Sequence, residues 1–323
     1  MISKRTVLRA LLAAGVAPLA GAAHAQAFPT RPIRMIVPFA AGTPNDVVAR
    51  LVADGLGARL GQSVVVDNRP SAGALIGTRA AAAAEPDGYT LLLNSSSLFV
   101  APAMYKDRSF DPLKSFVPVA NLVWASWLMV ITGSVPAQTL AEFVAYAKAH
   151  PGKLGFAYIP GTAPQLVGEW LKVKAGMDVT SVAYRGGPQV LADMMAGRVH
   201  LYIAPATTLV ALIEQGKFRP IAYFNAQRSP QFPQVPTMIE SGFPELALGY
   251  WVGLLAPAGT PRAIVERLNG EVNAVLRASA MVERLQKLGL EGRPGSPEDF
   301  AAFLTEEMPK WVDIVKVSGV KGE

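Results

Sequence analysis

Short apolar runs that alternate with amphipathic stretches are the feature of this chain that most constrains its fold. Residues 33–39 form an apolar run, and residues 44–60 carry apolar side chains at the spacing of a helix. Strands that alternate with helices predict an α/β fold with a mostly parallel sheet, covered on its faces. Further strands are predicted at residues 64–66, 90–93, 128–132, 155–158, 179–184, 199–203, 218–224 and 251–256. Further helices are predicted at residues 76–84, 139–150, 261–276 and 297–317, and a helical segment is predicted after each of the strands at residues 155–158, 179–184 and 199–203.

Three of these helices follow residues that favour a helix start. Thr139 with Glu142 matches a capping box, and Thr260 and Ser296 stand just before the last two helices. We therefore expect these three side chains to cap the helices that follow them.

The alternation occurs in two separate runs, which predicts two lobes instead of one long sheet. A chain of 323 residues is too long for one ordinary core and long enough for two. The expected crossings between the lobes lie near residues 117–123 and 221–225. The first lobe is then discontinuous, formed by residues 26–122 with 226–323, and residues 123–225 form the second lobe.

Residues 1–25 show the pattern of a cleaved signal peptide. Three basic residues precede an Ala-rich apolar stretch at residues 11–23, and a small-x-small cleavage site ends at Ala25. Cleavage before Gln26 predicts export to the periplasm, and both the Sec and the Tat route remain open. Removal of the three basic residues lowers the formal net charge from +6 to about +3.

Composition and motifs argue against catalysis and against nucleic-acid binding. The chain has no Cys, which excludes thiol nucleophiles and thiolate metal sites, and it has no stripe of Lys and Arg with interleaved aromatics. The G-x-S-x-G, H-E-x-x-H and P-loop motifs are absent. His150 and His200 stand alone and are expected to be structural. We expect no catalytic residue, no cofactor, no metal and no nucleic-acid partner.

Five loops at the ends of predicted strands share a small, polar composition. In open α/β sheets, ligands bind beyond the carboxyl ends of the strands, where loops lead into helix N-termini. The unpaired N–H groups and the partial positive charge at such helix ends hold an anion without Lys or Arg. The predicted ligand-binding residues of these loops are Phe39, Ala41, Gly42, Thr43, Asp46, Ser95, Ser96, Ser97, Gly161, Thr162, Ala163, Gln165, Tyr184, Arg185, Gly186, Pro188 and Ala204.

The same loops also have structural interpretations, which the sequence leaves open. Thr43 with Asp46, and Thr162 with Gln165, each match a capping box, and Phe39 fits a core position. A capping role for Asp46 is compatible with a ligand site, because the same carboxylate can hold a water against the ligand.

Many short segments of the chain, taken in order, match one known family. They include PTRPIRMIVPFAAG at residues 29–42, GQSVVVDNRP at residues 61–70 and APAGTP at residues 256–261. The chain resembles the tripartite tricarboxylate transporter substrate-binding family, also called Bug receptors, over nearly all of its length after residue 25. Further matching segments lie at residues 46–50, 86–91, 110–112, 147–154, 216–217, 228–230, 235–237 and 240–242.

The resemblance implies a type II periplasmic binding protein, with two lobes joined by two crossing segments. It also implies a receptor that binds a carboxylate through loop backbone groups and ordered waters and delivers it to a membrane transporter. The family's ligand loops match residues 39–46, 95–97, 161–165 and 184–188. Members usually have Gly, commonly His and often Lys where this chain has, respectively, Thr43, Gln165 and Arg185.

The function expected from these observations is that of a monomeric receptor, which closes on a small carboxylate and passes it to membrane permease subunits. The ligand is expected to dock first on the amides of residues 41–43, with Asp46 ordering a water, before the second lobe closes over it. Two alternatives stay open: a sensory adaptor that presents its ligand to a signalling receptor, and a periplasmic serine hydrolase that uses residues 95–97.

Overall fold

A computed structural model gives the fold and describes residues 28–105 and 109–321, so the predicted signal peptide and its cleavage site lie outside the described residues. In chain order the elements are β1 (Ile33–Val37), α1 (Pro44–Leu60), β2 (Val64–Asn68), α2 (Leu75–Ala82), β3 (Thr90–Asn94), α3 (Ser97–Tyr105), β4 (Phe116–Thr132), α4 (Leu140–Ala149), β5 (Gly155–Tyr158), α5 (Ala163–Ala175), β6 (Thr180–Ala183), α6 (Gly187–Met195), β7 (Leu201–Pro205), α7 (Val210–Glu214), β8 (Phe218–Phe224), β9 (Gly249–Pro257), α8 (Arg262–Arg277), α9 (Ser279–Lys287), β10 (Glu291–Gly292) and α10 (Pro297–Ser318).

The long strand β4 belongs to two half-sheets. Its residues 116–126 pair with β9 in the first half-sheet, which has the strand order β2-β1-β3-β9-β4, and β10 also pairs with this part of β4. Its residues 127–132 pair with β7 and β8 in the second half-sheet, where the order continues from β7 to β5 and β6. Helices cover both half-sheets, so the predicted α/β class is confirmed.

The strand directions bring the carboxyl ends of both half-sheets to the crossing point on β4. β3 and β4 are each antiparallel to β9, so β4 runs in the same direction as β3 and leaves the first half-sheet at the carboxyl end of that strand. β4 is antiparallel to β7, and Trp127 pairs with Pro205, the last residue of β7. Since β1–β3 are parallel to one another, as are β5–β7, the loops after all six strands approach the crossing from opposite sides.

The C-terminal helix α10 packs against both half-sheets. Phe300, near its start, lies 6.0 Å from Trp251 of β9, measured between ring centroids. Further along the helix, Trp311 lies 6.2 Å from Trp127. The helix α5 also joins this contact, because the indole N–H of Trp170 donates to Asp313 Oδ2 at 2.9 Å. One helix therefore links the cores on either side of the crossing.

Two of the three predicted caps are present and one is wrong. Ser296 accepts the N–H of Asp299 at 3.0 Å and forms a full capping box with it. Thr139 accepts the N–H of Glu142 at 3.2 Å, although the carboxylate of Glu142 bonds the N–H of Gln138 instead of that of Thr139. Thr260 caps nothing, because its hydroxyl donates to the carbonyl of Pro257, and α8 begins after Pro261.

Four elements differ from the pattern-based prediction. β4 begins at Phe116, although the sequence predicts a strand only from residue 128. α3 is absent from the prediction, since it is apolar on all sides and has no amphipathic period. α9, which follows α8 directly, and the two-residue strand β10 are likewise not predicted. The other predicted elements are found, with ends that differ by a few residues at most.

His200 makes the stability of the second half-sheet sensitive to pH. Its Nδ1 accepts the N–H of Gly155 at 3.0 Å, which requires a neutral ring with its proton on Nε2. Burial lowers the pKa of His200 below 6.5. Because the unfolded chain then binds the proton more readily, the stability from the neutral ring is present above about pH 6.5 and is lost as the pH falls.

We therefore expect the free energy of unfolding, measured by urea denaturation, to decrease as the pH is lowered from about 7 to about 5. The variant His200→Asn should show a flatter dependence, whereas the control His150→Gln, at the exposed end of α4, should keep the wild-type slope. Equal slopes for His200→Asn and the wild type would contradict this assignment.

Candidate functional site

The loop between β1 and α1 forms a tight turn held by its own polar groups. The N–H and the hydroxyl of Thr43 both donate to the carbonyl of Ala40, at 3.3 and 2.8 Å. The N–H of Gly42 donates to Asp46 Oδ2 at 2.9 Å. Gly42 has φ 81°, a left-handed conformation that favours glycine. This turn places the first residues of α1 at the carboxyl edge of the first half-sheet.

The loop between β5 and α5 forms the same turn in the second half-sheet. The N–H and the hydroxyl of Thr162 donate to the carbonyl of Ile159, at 3.3 and 2.7 Å, and the N–H of Gly161 donates to Gln165 Oε1 at 2.8 Å. Gly161 has φ 75°. The shared Gly-Thr-x-x-Asp/Gln pattern thus builds equivalent turns on both sides of the crossing. The one chemical difference is an ionisable carboxylate in the first turn and a neutral amide in the second.

These bonds correct one expectation about the turns and bear on another. Neither Thr hydroxyl caps its helix, so the predicted capping boxes are wrong. The amides of Gly42 and Thr43 are already paired within the loop, so they offer no free N–H to a ligand in this structure, and the ligand contacts of this loop remain a prediction. At the starts of α1, α5 and α6, the amides of Asn45 and Asp46, of Ala163, and of Gly187 and Gln189 have no acceptor among the described residues.

Asp46 is the buried hub of the first turn. It is 2% exposed, and its two carboxylate oxygens accept bonds from Gly42, from Arg50 Nε at 3.0 Å and from Asn68 Nδ2 at 2.8 Å. Burial alone would raise the pKa of Asp46, but the hydrogen bonds from Arg50, Gly42 and Asn68 outweigh burial and lower it below 3.8. The carboxylate is therefore ionised at neutral pH and holds the loop through three donors.

The loop after β3 is organised around a buried amide. Asn94 Oδ1 accepts both the N–H of Ser95 and the hydroxyl of Ser97, each at 2.8 Å. Ser96 is half-buried, and its hydroxyl has no partner among the described residues. The histidines are engaged elsewhere, since His150 Nδ1 bonds the carbonyl of Tyr146 and His200 bonds Gly155. A serine nucleophile activated by one of these histidines therefore has no support in the described parts of the chain.

The loop between β6 and α6 carries a tyrosine whose hydroxyl is hydrogen-bonded and an arginine that is unpaired within the described residues. Tyr184 donates its hydroxyl to Asp193 Oδ2 at 2.8 Å, and Asp193 also pairs with Arg198. Burial, helped by the bond to Asp193, raises the pKa of Tyr184 to about 12. Arg185 is exposed and has no hydrogen-bond or ion-pair partner within residues 28–105 and 109–321. This guanidinium is therefore available to bind an anion.

The remaining predicted residues lie at the carboxyl edges of the two half-sheets and differ in exposure. Ala41 and Pro188 are exposed, and Gly186 is the residue before α6. Phe39 is half-buried and packs against the core of the first half-sheet. Ala204 is 2% exposed inside β7, so its side chain is buried in the second half-sheet.

Tyr250 also lies in this region, although the sequence does not predict it as a site residue. Its hydroxyl donates to Asn45 Oδ1 at 3.2 Å, which fixes the first turn of α1 against β9. Burial raises the pKa of Tyr250, so the phenol stays neutral. Its position inside a strand carries no local signal, because only the pairing of distant elements brings it to the loop.

The described residues contain no cluster of three or more His, Cys, Asp or Glu side chains that could hold a metal ion. Within the same residues no helix is both long enough and apolar enough to cross a bilayer. The arrangement offers unpaired amides, hydroxyls and one free guanidinium from two sheet edges, which is chemistry suited to binding an anion.

Comparison with known proteins identifies the family. A model described as "Tripartite tricarboxylate transporter family receptor" matches residues 48–320. The chain belongs to this receptor family. BugT of Bordetella pertussis is 34% identical over 308 residues, which is 94% of this chain and 94% of that protein.

Two solved structures are similar to this chain over nearly their whole length. One is an R. palustris protein with adipate, which has a TM-score of 0.72, 32% identity, and coverage of 91% of this chain and 99% of that one. The other is MatC from Rhodopseudomonas palustris with bound malate, with a TM-score of 0.71, 32% identity, and coverage of 89% and 100%. The predicted two-lobed binding-protein fold and the non-enzymatic, solute-binding class of the receptor are both confirmed.

Proposed function

We propose that this receptor works in the periplasm, captures a small carboxylate between its two lobes and delivers it to the permease subunits of a membrane transporter. The observation that carries the proposal is the set of unpaired amides on α1, α5 and α6, which approach one crossing point from opposite sides. Helix N-termini attract anions through these N–H groups and through the helix dipole.

The related structures support a carboxylate ligand. The two R. palustris proteins hold adipate and malate, both dicarboxylates, at 32% identity to this chain. Transfer of that ligand class is an inference from family membership combined with the amides described above. The residues proposed to contact the ligand are those predicted from the sequence, with the amides of Asn45 and Asp46 in place of those of Gly42 and Thr43.

The proposed motion is closure about the segments that join the lobes. We assign residues 26–122 with 226–323 to one lobe and residues 123–225 to the other, after removal of residues 1–25. β4 is one joining segment and the chain after β8 is the other. The hydroxyl of Ser126 connects the two joining segments, because it accepts a hydrogen bond from Asn225 Nδ2 at 3.1 Å and another from the indole N–H of Trp124 at 3.2 Å. The receptor is proposed to act as a monomer.

A thermal-shift screen of the mature protein against carboxylates tests the function. A ligand that binds only the folded form at about 100 times its Kd adds about 2.7 kcal/mol to the unfolding free energy, so the melting temperature should rise clearly. Malate and adipate are the first probes, and their uncharged diamides are matched controls that should give no shift. Equal shifts from acids and diamides, or no shift from any carboxylate, would overturn the proposal.

A further inference from the structure

The phenol of Tyr202, on β7, is buried, and its hydroxyl has no hydrogen-bond partner among the described residues. The residue is 7% exposed and packs with the apolar core of the second half-sheet, beside Val190 and Met194 of α6. No hydrogen-bond partner for its hydroxyl exists in the described parts of the chain, yet the hydroxyl is not sealed from solvent. A buried hydroxyl usually finds a partner, so this one is available for a group that the chain itself does not supply.

The hydroxyl of Tyr202 is directed at the start of α6. It lies 3.7 Å from the position that a Cβ would occupy on Gly187, the first residue of that helix. The amides of Gly187 and Gln189 have no acceptor among the described residues, and Pro188 between them has no N–H to offer. A glycine at the first position keeps the space between the phenol and these amides open.

The neighbouring groups include one cation that is unpaired in the described parts of the chain, and the nearby carboxylate of Asp193 is already engaged by Tyr184 and Arg198. Tyr184, the other phenol of this region, is bound to Asp193 and is not available. Arg185 stands two residues before the helix and is unpaired within the described residues. Burial raises the pKa of Tyr202, so the phenol is neutral at physiological pH and can donate its proton in a hydrogen bond.

We propose that the Tyr202 hydroxyl and the amides of Gly187 and Gln189 bind the second carboxylate of a dicarboxylate and thereby select dicarboxylates over monocarboxylates. The inference rests on the proposed function, in which the amides of α1 in the other lobe hold the first carboxylate. A phenol that donates to a carboxylate makes a short, charge-assisted bond. A monocarboxylate would turn a methyl group toward these donors and leave them without acceptors, which a site built for hydrogen bonding rejects strongly.

The test compares matched acids on the mature protein and its Tyr202→Phe variant by isothermal titration calorimetry. Adipate is paired with hexanoate, and malate with 2-hydroxybutanoate, so each pair differs in one carboxylate. The wild type should prefer the dicarboxylate. Tyr202→Phe should weaken dicarboxylate binding by about 10- to 100-fold and leave monocarboxylate binding unchanged. The control Tyr146→Phe, on α4 where the ring stacks on His150, should behave as the wild type.

A second variant tests the same subsite without touching the phenol. Gly187→Ala places a methyl group against the Tyr202 hydroxyl and should also weaken only dicarboxylate binding. The inference is overturned if the wild type binds both members of a pair equally, or if Tyr202→Phe retains dicarboxylate affinity or loses affinity for both acids alike. In those cases the carboxylate receptor proposal still stands. Absence of binding by every acid overturns both proposals.

Discussion

Asp46→Ala should lower the free energy of unfolding by about 2 kcal/mol, the range for leaving a buried donor without its acceptor, because the guanidinium of Arg50 that it also unpairs is half-exposed. The change removes the acceptor of the Gly42 amide at a position that is 2% exposed. It also removes one of two acceptors from Arg50, which keeps Asn68 Oδ1, and from Asn68, which keeps the carbonyl of Phe39. Because the same bonds hold the turn that presents the amides of α1, carboxylate affinity should also fall by about tenfold or more. Urea denaturation and calorimetry with the acid that most stabilises the wild type measure the two effects.

A matched control for Asp46 lies on the same helix. Asp54 is exposed, so Asp54→Ala should change stability by less than about 0.5 kcal/mol and leave binding unaltered. Binding loss in Asp46→Ala without loss of stability would mean that Asp46 contacts the ligand instead of holding the loop.

Trp311→Ala should be the most destabilising single change in α10, by about 3–5 kcal/mol. Trp311 is fully buried, packs edge-on to Trp127 at the crossing, and donates its indole N–H to Glu307 Oε2 at 3.0 Å. Removal of the indole opens a cavity between the two lobes and takes away one of the donors to a buried carboxylate, whose pKa burial already raises.

The control for Trp311 is its neighbour Val312, which is 41% exposed, so Val312→Ala should change stability little. Guanidinium denaturation with tryptophan fluorescence and circular dichroism measures both variants. A loss below about 1 kcal/mol in Trp311→Ala would show that α10 does not tie the lobes together.

Local patterns in the sequence are enough to place most elements. The apolar period of residues 44–60 gives α1 with both of its ends, because that pattern reports directly which face is buried. Ser296 caps α10 as predicted, since a capping box depends on residues only three apart. The choice of loops at strand ends also follows from the alternation of strands and helices.

The details of the site depend on contacts that no local pattern carries. A capping box and the observed turn use the same Thr-x-x-Asp spacing, but here the Thr43 hydroxyl donates to the carbonyl of Ala40, across the left-handed Gly42. The full length of β4 could not be predicted from local pattern, because the strand changes its partner from β9 to β7 between Ser126 and Trp127. Tyr202 reads as an ordinary strand residue until the packing of α6 brings Gly187 to its hydroxyl.

The most direct test of the account is the crystal structure of the mature protein with the dicarboxylate that most raises its melting temperature. The account predicts one carboxylate about 2.9 Å from the amides of Asn45 or Asp46, and the other at the same distance from the amides of Gly187 or Gln189 and the Tyr202 hydroxyl. A ligand bound to one lobe alone, or outside the gap between the two half-sheets, would contradict it.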